Sequence, residues 1–457
     1  MTEKRGDIMD HGESGEASVE AYPQWLRDRL EWFQDLKFGL FLHWGPYCQW
    51  SCCESWPLVE EDTWARPDNL KEWVERGRDL ERFRRDYRAL NRTFNPVDFD
   101  PAIWAAAARQ AGMKYLCLTS KHHDGFCMFD TRTTDYRVTH ESCPFHADPR
   151  ANILKHAFDA FREQGLAISC YFSKSDWNTP YYWRPETPAR TRNPNYDTHT
   201  HPERWGKFVE FVHRQIEELA TGYGPIDVLW LDGGQVQPPD QDIRMAELAA
   251  MARSRQPGLI IADRTVGGPY ENILTPEQTV PDAPLGHPWE SCVTMGRSWK
   301  YVECDEFKPT RALIHMLVDV VAKGGNLLLG VGPSPKGLLP AEALDRMREI
   351  GDWMAVNAEA IHGTRAVAPY QEGTVRYTKK GRTVYAIVLA PEGRDDPPEK
   401  VVLTGLAPAP GSSVRLLGCD QALDWAVARG RVEVTMPVHA LPCEHAWVLG
   451  FAPAGGA

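Results

Sequence analysis

Residues 226–234 combine a short apolar run with a carboxylate and two glycines at its end. Such a run, rich in β-branched and aliphatic residues, is typical of a strand buried on both faces. Asp232 is its last residue before Gly233 and Gly234. In a parallel barrel, catalytic groups gather at the carboxyl ends of the strands, and glycines let a substrate approach the backbone. Asp232 is therefore a candidate catalytic residue, although an aspartate here could also simply cap the next turn.

Polar side chains follow three other predicted strands, at His43, at the adjacent pair His122 and His123, and at Arg264. In a barrel these ends converge on one rim, although a lone histidine after a strand is as often structural as ligand-binding. The pair could bind a metal ion, but neighbouring side chains diverge, which disfavours joint ligation of one ion. Hydrogen bonding to a hydroxyl-rich ligand fits better, because a neutral imidazole both donates and accepts.

Strand and helix patterns alternate about seven times in the first 360 residues. The predicted strands are a first run ending at His43, then 114–120, 166–172, 226–232, 258–264, 289–295 and 326–331. The predicted helices are 25–36, 100–111, 152–165, 202–221, 241–255, 309–322 and 340–357. This alternation predicts a parallel sheet, and the count suits a (β/α)8-like (TIM-type) barrel.

The pattern changes after about residue 364. Short alternating runs separated by turn residues follow, at 374–378, 383–389, 400–403, 413–417, 431–435 and 446–451. Such runs are typical of an antiparallel β-sandwich. We therefore expect a disordered leader at 1–20, a catalytic (β/α)8-like domain at 21–363 and a C-terminal β-sandwich domain at 364–457.

Composition narrows the class of protein. A net charge of −12 disfavours nucleic acid or an anionic membrane as a partner. The 11 cysteines cannot all pair, and Cys48, Cys52 and Cys53 lack the second pair of ligands that structural zinc sites show. The polar N-terminus lacks the apolar core of a signal peptide, so we expect a cytoplasmic protein. No run of 18 apolar residues predicts a membrane span.

Six motifs, in order from about residue 25 to the C-terminus, carry a family resemblance. They are His43-Trp-Gly45, Lys121-His-His-Asp-Gly-Phe126, Tyr171-Phe-Ser-Lys-Ser-Asp-Trp177, Trp230-Leu-Asp232, Gly324-Gly-Asn-Leu-Leu-Leu329 and Asn357-Ala-Glu-Ala-Ile-His-Gly-Thr364. Together they resemble the α-L-fucosidases of glycoside hydrolase family 29. The resemblance implies an irregular barrel followed by a β-sandwich, no cofactor, and a fucosylated oligosaccharide or glycoconjugate as substrate. An oligomer remains possible.

The resemblance implies retaining hydrolysis by two carboxylates, a nucleophile and a general acid/base. The nucleophile carries over to Asp232, whereas two glutamates compete for the acid/base. Glu290 opens a predicted strand, which places it toward the stabilising amino end of the barrel. Glu277 lies in the irregular segment after Arg264, on the active rim, and is therefore favoured, with Glu290 as the alternative.

The resemblance also assigns substrate-binding roles to His43, Glu54, Trp56, His122, His123, Tyr171, Trp230 and Arg264. Lys300 departs from the family, in which glycine is common at this position, and the insertion at 48–95 looks specific to a subgroup. Two other functions compete: a catalytically silent fucose-binding protein, which the presence of both carboxylates disfavours, and a metal-dependent hydrolase. We expect no metal, because His122 and His123 lack a third ligand at usable spacing.

Overall fold

The computed structural model describes residues 18–66, 75–76, 78–394, 396–437 and 441–454. The predicted leader at 1–20 lies outside the described residues except for 18–20, where a short 3-10 turn spans Val19–Ala21. Residues 67–74 and 77 of the predicted insertion also lie outside them.

Seven parallel strands form one curled sheet in the order β5-β4-β3-β2-β1-β7-β6. They are β1 Phe38–Leu42, β2 Tyr115–Lys121, β3 Ala167–Ser173, β4 Val228–Asp232, β5 Ile260–Asp263, β6 Glu290–Thr294 and β7 Asn326–Val331. All seven coincide with predicted strands. Nearly every strand residue is buried, as expected of parallel strands covered on both faces. The predicted barrel is confirmed, with seven regular strands.

An irregular stretch, residues 270–278, fills the gap between the two edge strands β5 and β6. We call it the closing segment. Its backbone bridges are Ala262–Glu271 to β5, Leu274–Trp289 just before β6, and Glu277–Cys292 to β6. The segment takes the place of an eighth strand, and its pairing with β6 fixes the backbone of Glu277.

Helices surround the sheet. They are α1 Gln24–Leu36, α2 Leu80–Arg88, α3 Pro101–Gln110, α4 Ile153–Glu163, α5 Pro202–Gly222, α6 Met245–Arg255, α7 Thr310–Ala322 and α8 Ala341–Asn357. In the part of the chain that the structure describes, none is both long and apolar enough to cross a bilayer.

Two helices differ from the prediction for local reasons. The α6 helix begins at Met245 rather than 241, because Arg244 has a φ of 56° and adopts the left-handed conformation. The α2 helix was not predicted. Its sequence is mostly charged, and its main apolar contacts come from Phe83 and Tyr87, four residues apart on one face.

The C-terminal region forms two antiparallel sheets, a six-stranded one in the order β13-β12-β16-β10-β9-β8 and a three-stranded one in the order β11-β15-β14. The strands are β8 Arg365–Glu372, β9 Val375–Lys380, β10 Thr383–Leu389, β11 Lys400–Leu403, β12 Val414–Leu416, β13 Ala422–Leu423, β14 Trp425–Ala428, β15 Arg431–Thr435 and β16 Ala446–Phe451. The six predicted strands are all present. Three further strands, β8, β13 and β14, were not predicted; in β8, Pro369 interrupts the pattern.

The β-sandwich packs against the barrel helices α7 and α8. On α8, the buried indole of Trp353 donates a hydrogen bond of 2.9 Å to the backbone oxygen of Ala446 in β16. On α7, Arg311 donates to the backbone oxygen of Ala390 at 2.7 Å. A single core therefore runs from the barrel helices into the six-stranded sheet.

We expect Trp353→Ala to lower the free energy of unfolding by about 3–5 kcal/mol, because it leaves a cavity and an unpaired carbonyl between the barrel and the sandwich. Thermal unfolding measures the effect. Trp25→Ala is the control, since Trp25 is 40% exposed on α1, and it should change the midpoint far less. Equal losses for the two variants would contradict the proposed importance of this contact.

Candidate active site

Asp232 ends β4 at the carboxyl rim of the barrel and is held by three donors. The Tyr171 hydroxyl donates to Oδ2 at 2.6 Å, while the backbone N–H of Gly233 and the guanidinium of Arg264 donate to Oδ1 at 2.8 and 3.2 Å. Burial raises the pKa of Asp232, but the charge of Arg264, the neighbouring histidines and the hydrogen bond from Tyr171 together outweigh burial and hold this pKa well below its usual range. Asp232 is therefore an ionised carboxylate with fixed orientation.

Glu277 binds the other terminal nitrogen of the same guanidinium. Nη1 of Arg264 contacts Asp232, and Nη2 donates to Oε2 of Glu277. The indole of Trp299 donates to Oε1 of Glu277 at 3.2 Å. The Glu277 side chain is 40% exposed and that of Asp232 is 15% exposed. Two carboxylates of different accessibility thus share one cation, whose side chain is only 12% exposed.

Glu290 is the first residue of β6, at the amino end of the strand and enclosed by the barrel. Its two carboxylate oxygens accept from the indole N–H of Trp230 at 2.8 Å and from the Tyr115 hydroxyl at 2.7 Å. Burial raises the pKa of Glu290 to about 7. The structure therefore brings Glu277, and not Glu290, to Arg264 beside Asp232.

Three histidines line the rim next to Asp232. Nδ1 of His122 bonds Ser55 Oγ at 2.5 Å, and Nδ1 of His123 bonds Ser173 Oγ at 2.6 Å. Nδ1 of His43 is buried without a hydrogen-bond partner among the described residues. Burial lowers all three pKa values, to about 3 for His43 and about 4 for His123. The rings are therefore neutral near pH 7 and suit hydroxyl groups.

The prediction that His122 and His123 diverge and lack a third metal ligand is wrong. Their ring centroids lie 4.3 Å apart, because the chain leaves the β2 strand and turns here, with Gly125 at a φ of 81°. One possible ligand atom from each of His122, His123 and Asp232 lies within 4.8 Å of the others. This donor set could hold a metal ion. The fixed positive charge of Arg264 on the same carboxylate opposes a second cation there.

Other predicted binding residues lie at different depths. Glu54 is buried and accepts from the backbone N–H of Lys300 at 3.1 Å. The Trp56 ring lies 4.9 Å from the His123 ring. Trp230 does not line the opening. It is only 1% exposed and lies below the rim, stacked on Tyr171.

Sequence reasoning missed Trp299 and two serines, Ser55 and Ser173. Trp299 contacts Glu277 and also packs against His43, with ring centroids 4.8 Å apart. The signal was present, since Trp299 is next to the family departure at Lys300, Ser173 lies inside a motif that carries the resemblance, and Ser55 stands between the predicted binding residues Glu54 and Trp56. Their hydrogen bonds to imidazoles depend on tertiary contacts that spacing does not reveal.

The site as a whole is a polar opening at the barrel rim with two carboxylates, neutral imidazoles and an indole. Neutral donors and acceptors can bind a polyhydroxylated ring, and paired carboxylates can cleave a bond to its anomeric carbon.

Known proteins share both the sequence and the fold. The chain matches the Alpha-L-fucosidase family over residues 13–359 and the Alpha-L-fucosidase C-terminal domain over residues 369–452. It is similar to the plasma alpha-L-fucosidase of Homo sapiens, with 28% identity over 455 residues, covering 93% of this chain and 91% of that protein.

Solved structures agree. The Alpha-L-fucosidase isoenzyme 1 from Paenibacillus thiaminolyticus superposes with a TM-score of 0.76 at 30% identity, over 94% of this chain and 99% of that one. The Thermotoga maritima alpha-fucosidase, solved in complex with a mechanism-based inhibitor, gives a TM-score of 0.72 at 26% identity, over 93% and 97% of the two chains. This chain therefore belongs to the α-L-fucosidases of glycoside hydrolase family 29.

Proposed function

We propose that this α-L-fucoside hydrolase is a retaining exo-enzyme, in which Asp232 is the nucleophile and Glu277 is the general acid/base. The observation that carries the proposal is the pair of carboxylates bound to the two terminal nitrogens of Arg264. Neighbouring positions on one guanidinium support the short carboxyl separation, about 5–5.5 Å, that retaining glycosidases use.

In the first step, protonated Glu277 gives its proton to the glycosidic oxygen as the bond from that oxygen to the anomeric carbon breaks. An oxygen of Asp232 attacks the same carbon and forms a fucosyl-enzyme ester. In the second step, Glu277 accepts a proton from water, the water oxygen attacks the anomeric carbon, and Asp232 departs as a carboxylate. Two inversions give net retention.

The surroundings of each carboxylate support these roles. Asp232 is ionised and oriented by Tyr171 and Arg264, which suits a nucleophile whose attack geometry must be fixed. Glu277 is more accessible, so that an aglycone and then a water molecule can reach it. A fucose-binding protein without catalysis would need neither feature.

The neutral histidines and the aromatic rings around them bind the sugar. The neutral His43 ring lies beside Trp299, with centroids 4.8 Å apart, and can bond a sugar hydroxyl. The Trp299 ring, which is partly exposed, forms an apolar wall beside this histidine. Such a wall favours the methyl group of fucose over a hydroxymethyl group, because an unpaired hydroxyl costs about 1–3 kcal/mol.

The substrate that fits this site is a terminal α-L-fucosyl group on an oligosaccharide or glycoconjugate. The cytoplasmic location stays a prediction.

We expect hydrolysis of 4-nitrophenyl α-L-fucoside to release the α-anomer of fucose first, because two displacements at one carbon restore its configuration. Proton NMR recorded in the first minutes follows the anomeric signal before mutarotation. An initial β-anomer would show a single displacement and exclude a glycosyl ester on Asp232.

We expect Glu277→Ala to lose most activity on a fucosyl disaccharide and to keep far more on 4-nitrophenyl α-L-fucoside, because nitrophenolate departs without protonation. Added azide should restore turnover by attacking the fucosyl-enzyme without base assistance. Asp232→Ala should fail on both substrates, because no ester can form. Steady-state rates with and without azide measure both effects.

Glu290→Ala serves as the comparison in the same assay. Azide rescue of Glu290→Ala, with Glu277→Ala unaffected by azide, would reverse the assignment of the acid/base.

We expect activity to survive exhaustive treatment with EDTA, because Arg264 occupies the charge-compensating position beside Asp232. The rate on an aryl fucoside before and after chelation and gel filtration tests this. Complete loss that zinc or another divalent ion reverses would assign His122, His123 and Asp232 to a metal site instead.

A further inference from the structure

Glu290 is buried beneath the proposed site, and the mechanism above does not use it. Its side chain is enclosed by the strands and binds two donors, the indole of Trp230 in the middle of β4 and the hydroxyl of Tyr115 at the start of β2. An indole N–H can only donate, so Trp230 needs an acceptor when it is buried. Glu290 is the acceptor that the structure supplies.

The ring of Trp230 supports both side chains that bind the Asp232 carboxylate. Tyr171 stacks on it, with centroids 5.3 Å apart and planes inclined by 24°. The guanidinium carbon of Arg264 lies 5.0 Å from the centroid of the same ring. Tyr171 and Arg264 then donate to the two oxygens of Asp232 at 2.6 and 3.2 Å.

We propose that Glu290 is a positioning residue for the fucosidase reaction, which fixes the plane of Trp230 and, through it, the two donors that orient Asp232. This inference rests on the proposed function, because it takes Asp232 as the nucleophile. Glu290 never touches the substrate. Its effect reaches the reacting atoms through two contacts, from the carboxylate to the indole and from the indole to Tyr171 and Arg264.

The physical basis is the cost of a buried donor without an acceptor. If Glu290 is replaced by an apolar residue, the Trp230 N–H is unpaired inside the barrel, and the ring turns to find another partner. Tyr171 and Arg264 pack against that ring, so their positions change when it turns. A displacement of about 1 Å at a reacting group can cost roughly 100-fold in rate.

The first test compares Glu290→Leu with Glu290→Gln. Leucine removes the acceptor, so kcat should fall roughly 10- to 100-fold on both an aryl fucoside and a fucosyl disaccharide, with KM changed much less. The glutamine amide oxygen still accepts from Trp230, so Glu290→Gln should restore kcat to within about threefold of wild type. Azide should rescue neither variant, which separates positioning from acid/base catalysis.

The control for a purely structural role is Gln215→Leu. Gln215 is fully buried on α5, and its amide donates to Thr133 Oγ1 at 2.8 Å and to Cys127 Sγ at 3.5 Å, neither of which belongs to the proposed site. This change should lower the thermal midpoint, as Glu290→Leu does, while leaving kcat close to wild type.

Trp230→Phe removes the donor of the Glu290–Trp230 hydrogen bond instead of its acceptor. It keeps the proposal testable if Glu290→Leu fails to fold. Phenylalanine keeps an aromatic ring but removes the N–H, so kcat should fall as in Glu290→Leu. The double variant should be no slower than the slower single variant, because both changes break one contact. The proposal is overturned if the losses in kcat of the two single variants multiply in the double variant. It is also overturned if Trp230→Phe or Glu290→Leu has a wild-type kcat, or if Glu290→Gln is as slow as Glu290→Leu.

Asp232→Ala, assayed in parallel, separates the two levels of inference. If it retains activity, the assignment of the nucleophile fails. If it is inactive while Glu290→Leu keeps a wild-type kcat, only the positioning role fails.

Discussion

The site depends on one largely enclosed guanidinium that two carboxylates share. Arg264 follows β5 and reaches across the rim to Asp232 at the end of β4 and to Glu277 on the closing segment. Burial lowers the pKa of Arg264, but the two carboxylates raise it well above its usual range. Among the groups that keep Asp232 ionised, this retained charge has the largest effect. The same group therefore sets the charge of the proposed nucleophile and the place of the proposed acid/base.

The closing segment, the irregular part of the barrel, makes the contact between Glu277 and Arg264 possible. A regular eighth strand would hold its residues in a repeating register, whereas the closing segment pairs antiparallel with β5 and parallel with β6 within a few residues. That change of direction places the side chain of Glu277 next to the guanidinium of Arg264. A bridge between Glu277 and Cys292 still fixes its backbone. The segment thus combines a defined position with the accessibility that leaving groups and water require.

Much of this site could be predicted, because the end of a buried parallel strand is visible in the sequence as the end of an apolar run. His43, Asp232 and Arg264 each follow an apolar run, and the structure gathers them at one rim. Relations between side chains could not be predicted. Spacing suggested that His122 and His123 diverge, although a turn after β2 brings their rings together. The resemblance placed Trp230 among the sugar contacts, although this indole lies two residues before the end of β4 and is buried in the core. Trp299 was missed because a loop without periodicity carries it.

The central claim is that Asp232 forms the bond to fucose, and covalent trapping tests it most directly. A 2-deoxy-2-fluoro fucosyl fluoride slows both steps but slows hydrolysis of the ester more, so the fucosyl-enzyme accumulates. Peptide mapping by mass spectrometry after brief incubation then locates the added sugar. The proposed mechanism predicts one fluorofucosyl group on the peptide that contains Asp232, at the Asp232 side chain. A label on Glu277 or another residue, or turnover of the inhibitor without any covalent adduct, would contradict it.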